Sequence, residues 1–281
     1  MASHFVARTI RNRTEEQKAQ ELEKINKYRE LEEEVRANIA KNNFTPEVFQ
    51  LTSKLLRLNP EYYTIWNVRR PSSSSSSTAI QPDPAPPTAG RSGTIADKDS
   101  AVSVAGENGN SAGEDDANKT AADAENDLGI LKNELGFTIP LLMEFPKCYW
   151  IWNYRSWLLQ EAIKRLDVPV ARRIWEEELG LVSKMLNKDK RNFHAWGYRR
   201  EVVKQLESAV LNGKSMVESE FEYTSKMIRG DLSNFSAWHN RSKLIPRLLD
   251  ERGADDPDRK GFLDKGKSWS SGCITTPFTN G

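Results

Sequence analysis

One nine-residue segment occurs four times in this chain, and no other feature constrains the fold as much. The copies read YYTIWNVRR ending at Arg70, CYWIWNYRS ending at Ser156, NFHAWGYRR ending at Arg200 and NFSAWHNRS ending at Ser242. Each sets an aromatic residue three positions before a tryptophan (Tyr63, Tyr149, Phe193, Phe235) and an arginine three positions after it (Arg69, Arg155, Arg199, Arg241). Trp152 and Trp196 lie 44 residues apart, and Trp196 and Trp238 lie 42 apart. Trp66 and Trp152 are 86 apart, one period of that size plus an insertion. Self-similarity at a fixed period marks a repeat array.

Positions outside the segment align as well. Ten residues before each tryptophan stand Leu56, Leu142, Leu186 and Ile228; eleven before stand Leu55, Leu141, Met185 and Met227. Seventeen before stand Phe49, Leu135, Leu179 and Phe221. These offsets share one helical face. Between that face and the tryptophan comes a break, at Asn59-Pro60, Phe145-Pro146, Asp189-Lys190 and Asp231-Leu232. Proline or a short polar residue there stops one helix and starts the next. The expected fold is all-α, a right-handed solenoid (crescent) of antiparallel helix hairpins, with Trp and Arg on the second helix of each. A residue present in every unit is best explained by a recurring packing role. The tryptophan supplies apolar area between hairpins, and the arginine reaches a neighbour's carboxylates or helix C-terminal carbonyls.

Composition sets the boundaries. Residues 14–41 are rich in helix formers, with Leu22, Ile25, Tyr28, Leu31 and Val35 on one stripe and Thr14 and Gln17 placed for a capping box. Residues 1–70 are thus read as an N-terminal helix and first hairpin, shortened where Pro71 cuts its second helix. Residues 71–127, opening with six serines and lacking aromatics, read as a disordered insertion. Residues 128–265 hold three further hairpins, and 266–281 form an irregular tail.

Lysine plus arginine number 41 against 40 for aspartate plus glutamate, so no basic field points to nucleic acid. Two cysteines give no disulfide framework, and three histidines give no zinc set within this chain. There is no apolar secretory segment at the start and no run long enough to span a bilayer, so a cytoplasmic location is expected.

The period and the Y/F-x-x-W-x-x-R pattern resemble the α-subunit repeats of protein prenyltransferases. FPKCYWIWNYRSWLL and DKRNFHAWGYRREVV are most similar to the Rab geranylgeranyltransferase (type II) α subunit, and the RTEEQ helix leading into LTSKLLRLNPEYYTIWNVRR fits the same type. The resemblance covers residues 1–70 and about 128–265. It implies a subunit that wraps a separate β subunit, which carries the catalytic zinc and the lipid pocket. The α subunit then helps transfer geranylgeranyl from its diphosphate to C-terminal cysteines of Rab GTPases presented by a Rab escort protein. The alternatives are the α subunit of farnesyltransferase or type I geranylgeranyltransferase, and a non-catalytic helical scaffold.

By the same resemblance Lys147, Tyr149 and His194 stand at the diphosphate end of the isoprenoid. Cationic and hydroxyl donors suit that place, because negative charge builds on the departing diphosphate. Repeat packing does not require Lys147 or His194. At the position of Lys147 the other units carry Glu61, Arg191 and Ser233; at that of His194 they carry Thr64, Trp150 and Ser236. From the residues alone, a solvated lysine and a satisfied core imidazole are the competing explanations. His4 is read as an idle surface histidine. After Trp238 the helix starting at RKGFLDK is followed by GKSWSSGCITTPFTNG with no further Trp-x-x-Arg, so the C-terminus is expected to be truncated relative to the family.

Overall fold

The computed structural model describes residues 14–72 and 114–272. Among them the chain forms ten α-helices and no strand: α1 (Glu15–Ala40), α2 (Pro46–Leu58), α3 (Tyr63–Ser72), α4 (Glu114–Glu144), α5 (Tyr149–Arg165), α6 (Val168–Lys188), α7 (Phe193–Leu206), α8 (Val217–Gly230), α9 (Phe235–Glu251) and α10 (Asp256–Gly272). Helices α2 and α3, α4 and α5, α6 and α7, and α8 and α9 pair as hairpins; α5 packs on α3, α6 and α7. The result is an all-α helical-repeat solenoid, with the tryptophan and arginine of every unit on its second helix.

The hairpin turns are written in short polar side chains. Asn59, Asp189 and Asp231 follow the last residues of α2, α6 and α8. Their Oδ1 atoms accept hydrogen bonds from the backbone N–H two residues on, at Glu61 (3.2 Å), Arg191 (3.1 Å) and Ser233 (3.0 Å). Such a side chain mimics a backbone turn and stops the helix. In all four units the tryptophan Nε1 closes the turn by donating to the carbonyl six residues earlier. The acceptors are Pro60 (2.8 Å) and Pro146, Lys190 and Leu232 (2.9 Å each).

Asn192 and Asn234 cap α7 and α9 by accepting from the N–H of Ala195 and Ala237. Each also donates to a carbonyl of the preceding unit, Pro146 (2.9 Å) and Lys190 (3.0 Å) respectively. One residue type therefore caps its own helix and fastens it to its neighbour. In the second unit Cys148 holds this place; its thiol points at the Pro60 carbonyl (3.4 Å), and its side chain makes no cap bond to α5.

Several boundaries differ from those expected. The predicted capping box at Thr14 and Gln17 is formed, but only the second half of the α1 stripe is covered. Val35 is buried and Tyr28 and Leu31 pack on the core, whereas Leu22 and Ile25 are exposed. The reason is length: 26 residues of helix run about 39 Å, while the 13 residues of α2 beneath it run about 20 Å. Helix α4 begins at Glu114, inside the segment 71–127 assigned to the insertion, and Asp127 is buried against Arg165 at 3.5 Å. The alanines and acidic residues before Leu128 are compatible with continuing a helix whose later turns are anchored by packing. Helix α10 runs to Gly272, beyond residue 265, so part of the expected irregular tail is helical. Residues 1–13 with His4, 73–113 of the insertion, and 273–281 with Cys273 lie outside the described residues.

Candidate functional site

The arginine of each repeat defines the frame on which the candidate residues hang. Arg155 is about 2% exposed and makes a bidentate pair with Glu178 of the next hairpin, Nε to Oε1 at 2.8 Å and Nη2 to Oε2 at 2.6 Å. Its Nη1 donates to Thr138 Oγ1 and to the Leu135 carbonyl (2.7 Å) in its own hairpin. Tyr198 donates to the same Glu178 (2.8 Å). Burial works against the charge on Arg155, and the Glu178 carboxylate more than restores it, holding the guanidinium above its ordinary range. Burial, and then Glu178, drive the Tyr198 phenol well above its usual value.

The pattern repeats. Arg69 pairs with Glu134, which also accepts from Tyr154, and Arg199 pairs with Glu220. Arg69 donates to Thr52 and Ser53, Arg199 to Ser183 and Arg241 to Ser225. The arginine is thus the joint between hairpins, as its recurrence implied. The carbonyls it reaches, Phe49, Leu135 and Phe221, lie within first helices of its own hairpin rather than at a neighbour's helix end. The tryptophans pack across the same joints: Trp66 on Tyr154 (ring centroids 4.9 Å), Trp152 on Tyr198 (5.0 Å) and Trp196 on Tyr223 (6.0 Å).

The partners Glu134, Glu178 and Glu220 were missed by sequence reasoning. All three lie eighteen residues before their unit's tryptophan, and the first unit has Val48 there. That absence is consistent with position: no earlier arginine hairpin precedes α2 among the described residues, and α1 packs there instead.

The three candidate residues occupy the opposite environment. Lys147 lies exposed in the turn before α5 and pairs with no carboxylate among the described residues. Tyr149 is the first residue of α5 and about half exposed; His194 is the second residue of α7 and partly buried. The structure brings Tyr149 and His194 together, ring centroids 6.2 Å apart. Trp150 flanks Tyr149 at 5.2 Å and meets Tyr63 at 5.3 Å, while Phe193 stands 5.8 Å from His194. The result is a surface row of rings at the N-terminal ends of α3, α5 and α7, where free N–H groups and helix dipoles favour anions. The aromatics three before each tryptophan therefore line a surface instead of the core: Phe193 and Phe235 are 76% and 80% exposed.

Position by position, the units differ. Arg191, in the third unit's version of the Lys147 place, is engaged with Asp231 at 3.2 Å. Lys147 keeps its charge available. Beside the row, Arg70 donates to Asn153 Oδ1, and Asn153 Nδ2 donates to the Tyr149 hydroxyl (3.3 Å). Arg70 is half-buried, its Nε has no hydrogen-bond partner among the described residues, and burial lowers its pKa from the ordinary value. No group of three or more His, Cys, Asp or Glu side chains among the described residues is arranged to hold a metal ion. No helix there is long and apolar enough to cross a membrane.

Comparison with known proteins agrees with the repeat geometry. The protein prenyltransferase alpha subunit repeat matches at residues 46–70, 131–162, 175–206 and 217–248, one match per hairpin. A geranylgeranyl transferase type-2 subunit alpha from Candida albicans is 39% identical over 215 residues, covering 73% of this chain and 44% of that protein. The protein of the same name from Saccharomyces cerevisiae is 32% identical over 73% of this chain and 46% of its own length. That from Rattus norvegicus is 27% identical over 73% of this chain and 27% of its own. The chain spans less than half the length of these curated relatives. With four hairpins in register and the joint residues in place, the chain belongs to the protein prenyltransferase alpha subunit family.

Proposed function

We propose that this chain acts as the α-subunit part of a heterodimeric type-2 protein geranylgeranyltransferase. Its role is to help a β subunit move a geranylgeranyl group from its diphosphate to C-terminal cysteines of Rab GTPases held by an escort protein. One observation carries the site: Tyr149 and His194 lie 6.2 Å apart on an exposed face, with Lys147 in the turn leading into Tyr149. Lys147 and His194 are exceptions to the repeat, so hairpin packing does not account for them.

The chemistry assigned to this chain is charge stabilisation. As the bond between C1 of the isoprenoid and the diphosphate oxygen breaks, negative charge gathers on the departing diphosphate. Lys147 supplies a mobile point charge for it, and Tyr149 and His194 supply hydrogen bonds from helix ends whose N–H dipoles already favour an anion. The zinc would be held by the β subunit, where it would activate the thiol of the Rab cysteine as the nucleophile.

The test is co-expression with a type-2 β subunit, followed by measurement of geranylgeranyl transfer to a Rab protein with its escort protein present. Lys147→Ala is expected to slow single-turnover transfer by about 10²-fold, the scale for losing one donor to a developing anion, with subunit association unchanged. Loss of association instead would remove Lys147 from the diphosphate. A folded chain that forms no complex would favour a helical scaffold.

A further inference from the structure

We propose that Arg70 and Asn153 act as positioning residues that orient the Tyr149 hydroxyl so that its proton faces outward, toward an anion. The inference rests on the assignment of Tyr149 to the diphosphate.

The case begins with hydrogen-bonding capacity. A guanidinium can only donate, so Arg70, at the end of α3, holds the Oδ1 of Asn153 toward itself. The Asn153 amide is then fixed with its NH2 group facing the other way, where Nδ2 donates to the Tyr149 oxygen at 3.3 Å. Having accepted that bond, the phenol keeps its own O–H for a further partner. On this exposed row that partner is solvent or a bound anion. Without Arg70 the amide has no reason to prefer this orientation, and its oxygen facing the phenol would draw the phenolic proton inward.

Electrostatics run in the same direction. Arg70 is half-buried and meets no carboxylate among the described residues, unlike Arg69 beside it, whose charge is matched by Glu134. The Arg70 charge thus polarises the Asn153 amide and strengthens its N–H donors.

The molecule contains its own comparison. The first unit has the same spacing, Tyr63 followed by Asn67, but among the described residues no preceding hairpin sends an arginine to Asn67. There Asn67 is exposed, and no hydrogen bond joins it to Tyr63 among the described residues. The third unit has Phe193 and Gly197 at these places, and the fourth Phe235 and His239. Tyrosine, asparagine and an incoming arginine coincide in the second unit alone.

The experiment uses the complex with the β subunit, with tyrosines labelled at 13Cζ. Asn153→Ala and Arg70→Met should each move the Tyr149 resonance, and Arg70→Lys should return it part of the way; Asn67→Ala should leave it in place. Asn153→Ala should also slow single-turnover transfer by about tenfold, less than the ~10²-fold for removing a donor to a developing anion outright, leaving KM for Rab unchanged. In a Tyr149→Phe background the same substitution should slow transfer no further. An unmoved resonance in Asn153→Ala and Arg70→Met overturns the proposal whatever the rates. So do losses that multiply in the double variant. A wild-type rate for Tyr149→Phe with the resonance shifts intact would instead overturn the diphosphate role of Tyr149 and leave the orienting contact standing.

Discussion

Lys147 and Arg155 lie eight residues apart in the same hairpin, and they live in opposite environments. Arg155 is buried, matched by two hydrogen bonds to Glu178 and bonded to two further groups, the Leu135 carbonyl and the Thr138 hydroxyl. Lys147 sits exposed in a turn. The same contrast separates two faces of the solenoid. Along the joints between hairpins, each arginine is answered by a glutamate of the next unit, and the arrangement recurs at Arg69, Arg155 and Arg199. At the N-terminal ends of the second helices an aromatic recurs, but the residues beside it, at the places of Lys147 and His194, change from unit to unit. Recurrence therefore marks architecture, because each joint must solve the same packing problem. Departures from the repeat mark positions released from that problem.

Breaking the buried side of the comparison should have the largest effect. Arg155→Ala leaves Glu178 charged and buried with only Tyr198 to satisfy it, and is expected to cost about 3–5 kcal/mol of stability. Replacing both partners, Arg155→Met with Glu178→Leu, should recover much of that loss, since paired desolvation is removed along with paired attraction. Chemical denaturation of the three proteins checks the order. If the single and double variants are equally unstable, the joint depends on Arg155 for its bonds to Thr138 and Leu135 more than for its ion pair.

The exposed side is sharpened by comparing Lys147 with Arg191, which fills the same place in the third unit. Lys147→Ala should lower the transfer rate as described above while changing stability by under about 0.5 kcal/mol, the usual range for a surface substitution. Arg191→Ala should leave the rate unchanged, because Asp231 already engages its charge, and should cost only about 0.2–1 kcal/mol, the worth of a surface pair. Equal rate losses in the two variants would show that any cation on this edge serves, and the distinction between the units would fall.

This division explains how much was legible in advance. The hairpins followed from Leu55, Leu56 and their equivalents at fixed offsets, and the turns from Asn59, Asp189 and Asp231, because local patterning and turn chemistry are carried by neighbouring residues. The glutamates of the joints were periodic too, at eighteen residues before the second, third and fourth tryptophans, but a charged residue on a helix reads as solvated until its partner is located. Arg69 and Glu134 are 65 residues apart, across the insertion, and only folding makes them neighbours. The exposure of Tyr63, Phe193 and Phe235 was unreadable for the converse reason. An aromatic residue repeated in every unit looks like core, and the surface row appears only once the N-terminal ends of α3, α5 and α7 are aligned in space. Lys147, Tyr149 and His194 were found through resemblance; the Arg70 and Asn153 contact, which joins two hairpins, had no signature in the chain.

The smallest expected effect tests the frame at its one irregular link. Cys148 stands where Asn192 and Asn234 both cap a helix and bind the preceding unit, and its thiol is a weaker donor that leaves α5 without a side-chain cap. Cys148→Asn should restore both contacts and stabilise the protein by about 1 kcal/mol, the usual worth of an N-cap. The gain should widen in alkali. Burial raises the Cys148 thiol from an ordinary value of 9.0 to about 11. Between those values the unfolded chain releases a proton that the folded chain retains, so stability falls as pH rises through this window. The asparagine variant lacks that titration and should hold its advantage at pH 7 and increase it toward pH 10. Denaturation midpoints of the two proteins at both pH values measure it. A constant difference would mean that the thiol titrates normally and that the Cys148 site opens to water; a negative one would mean that the asparagine does not fit where the smaller sulfur does.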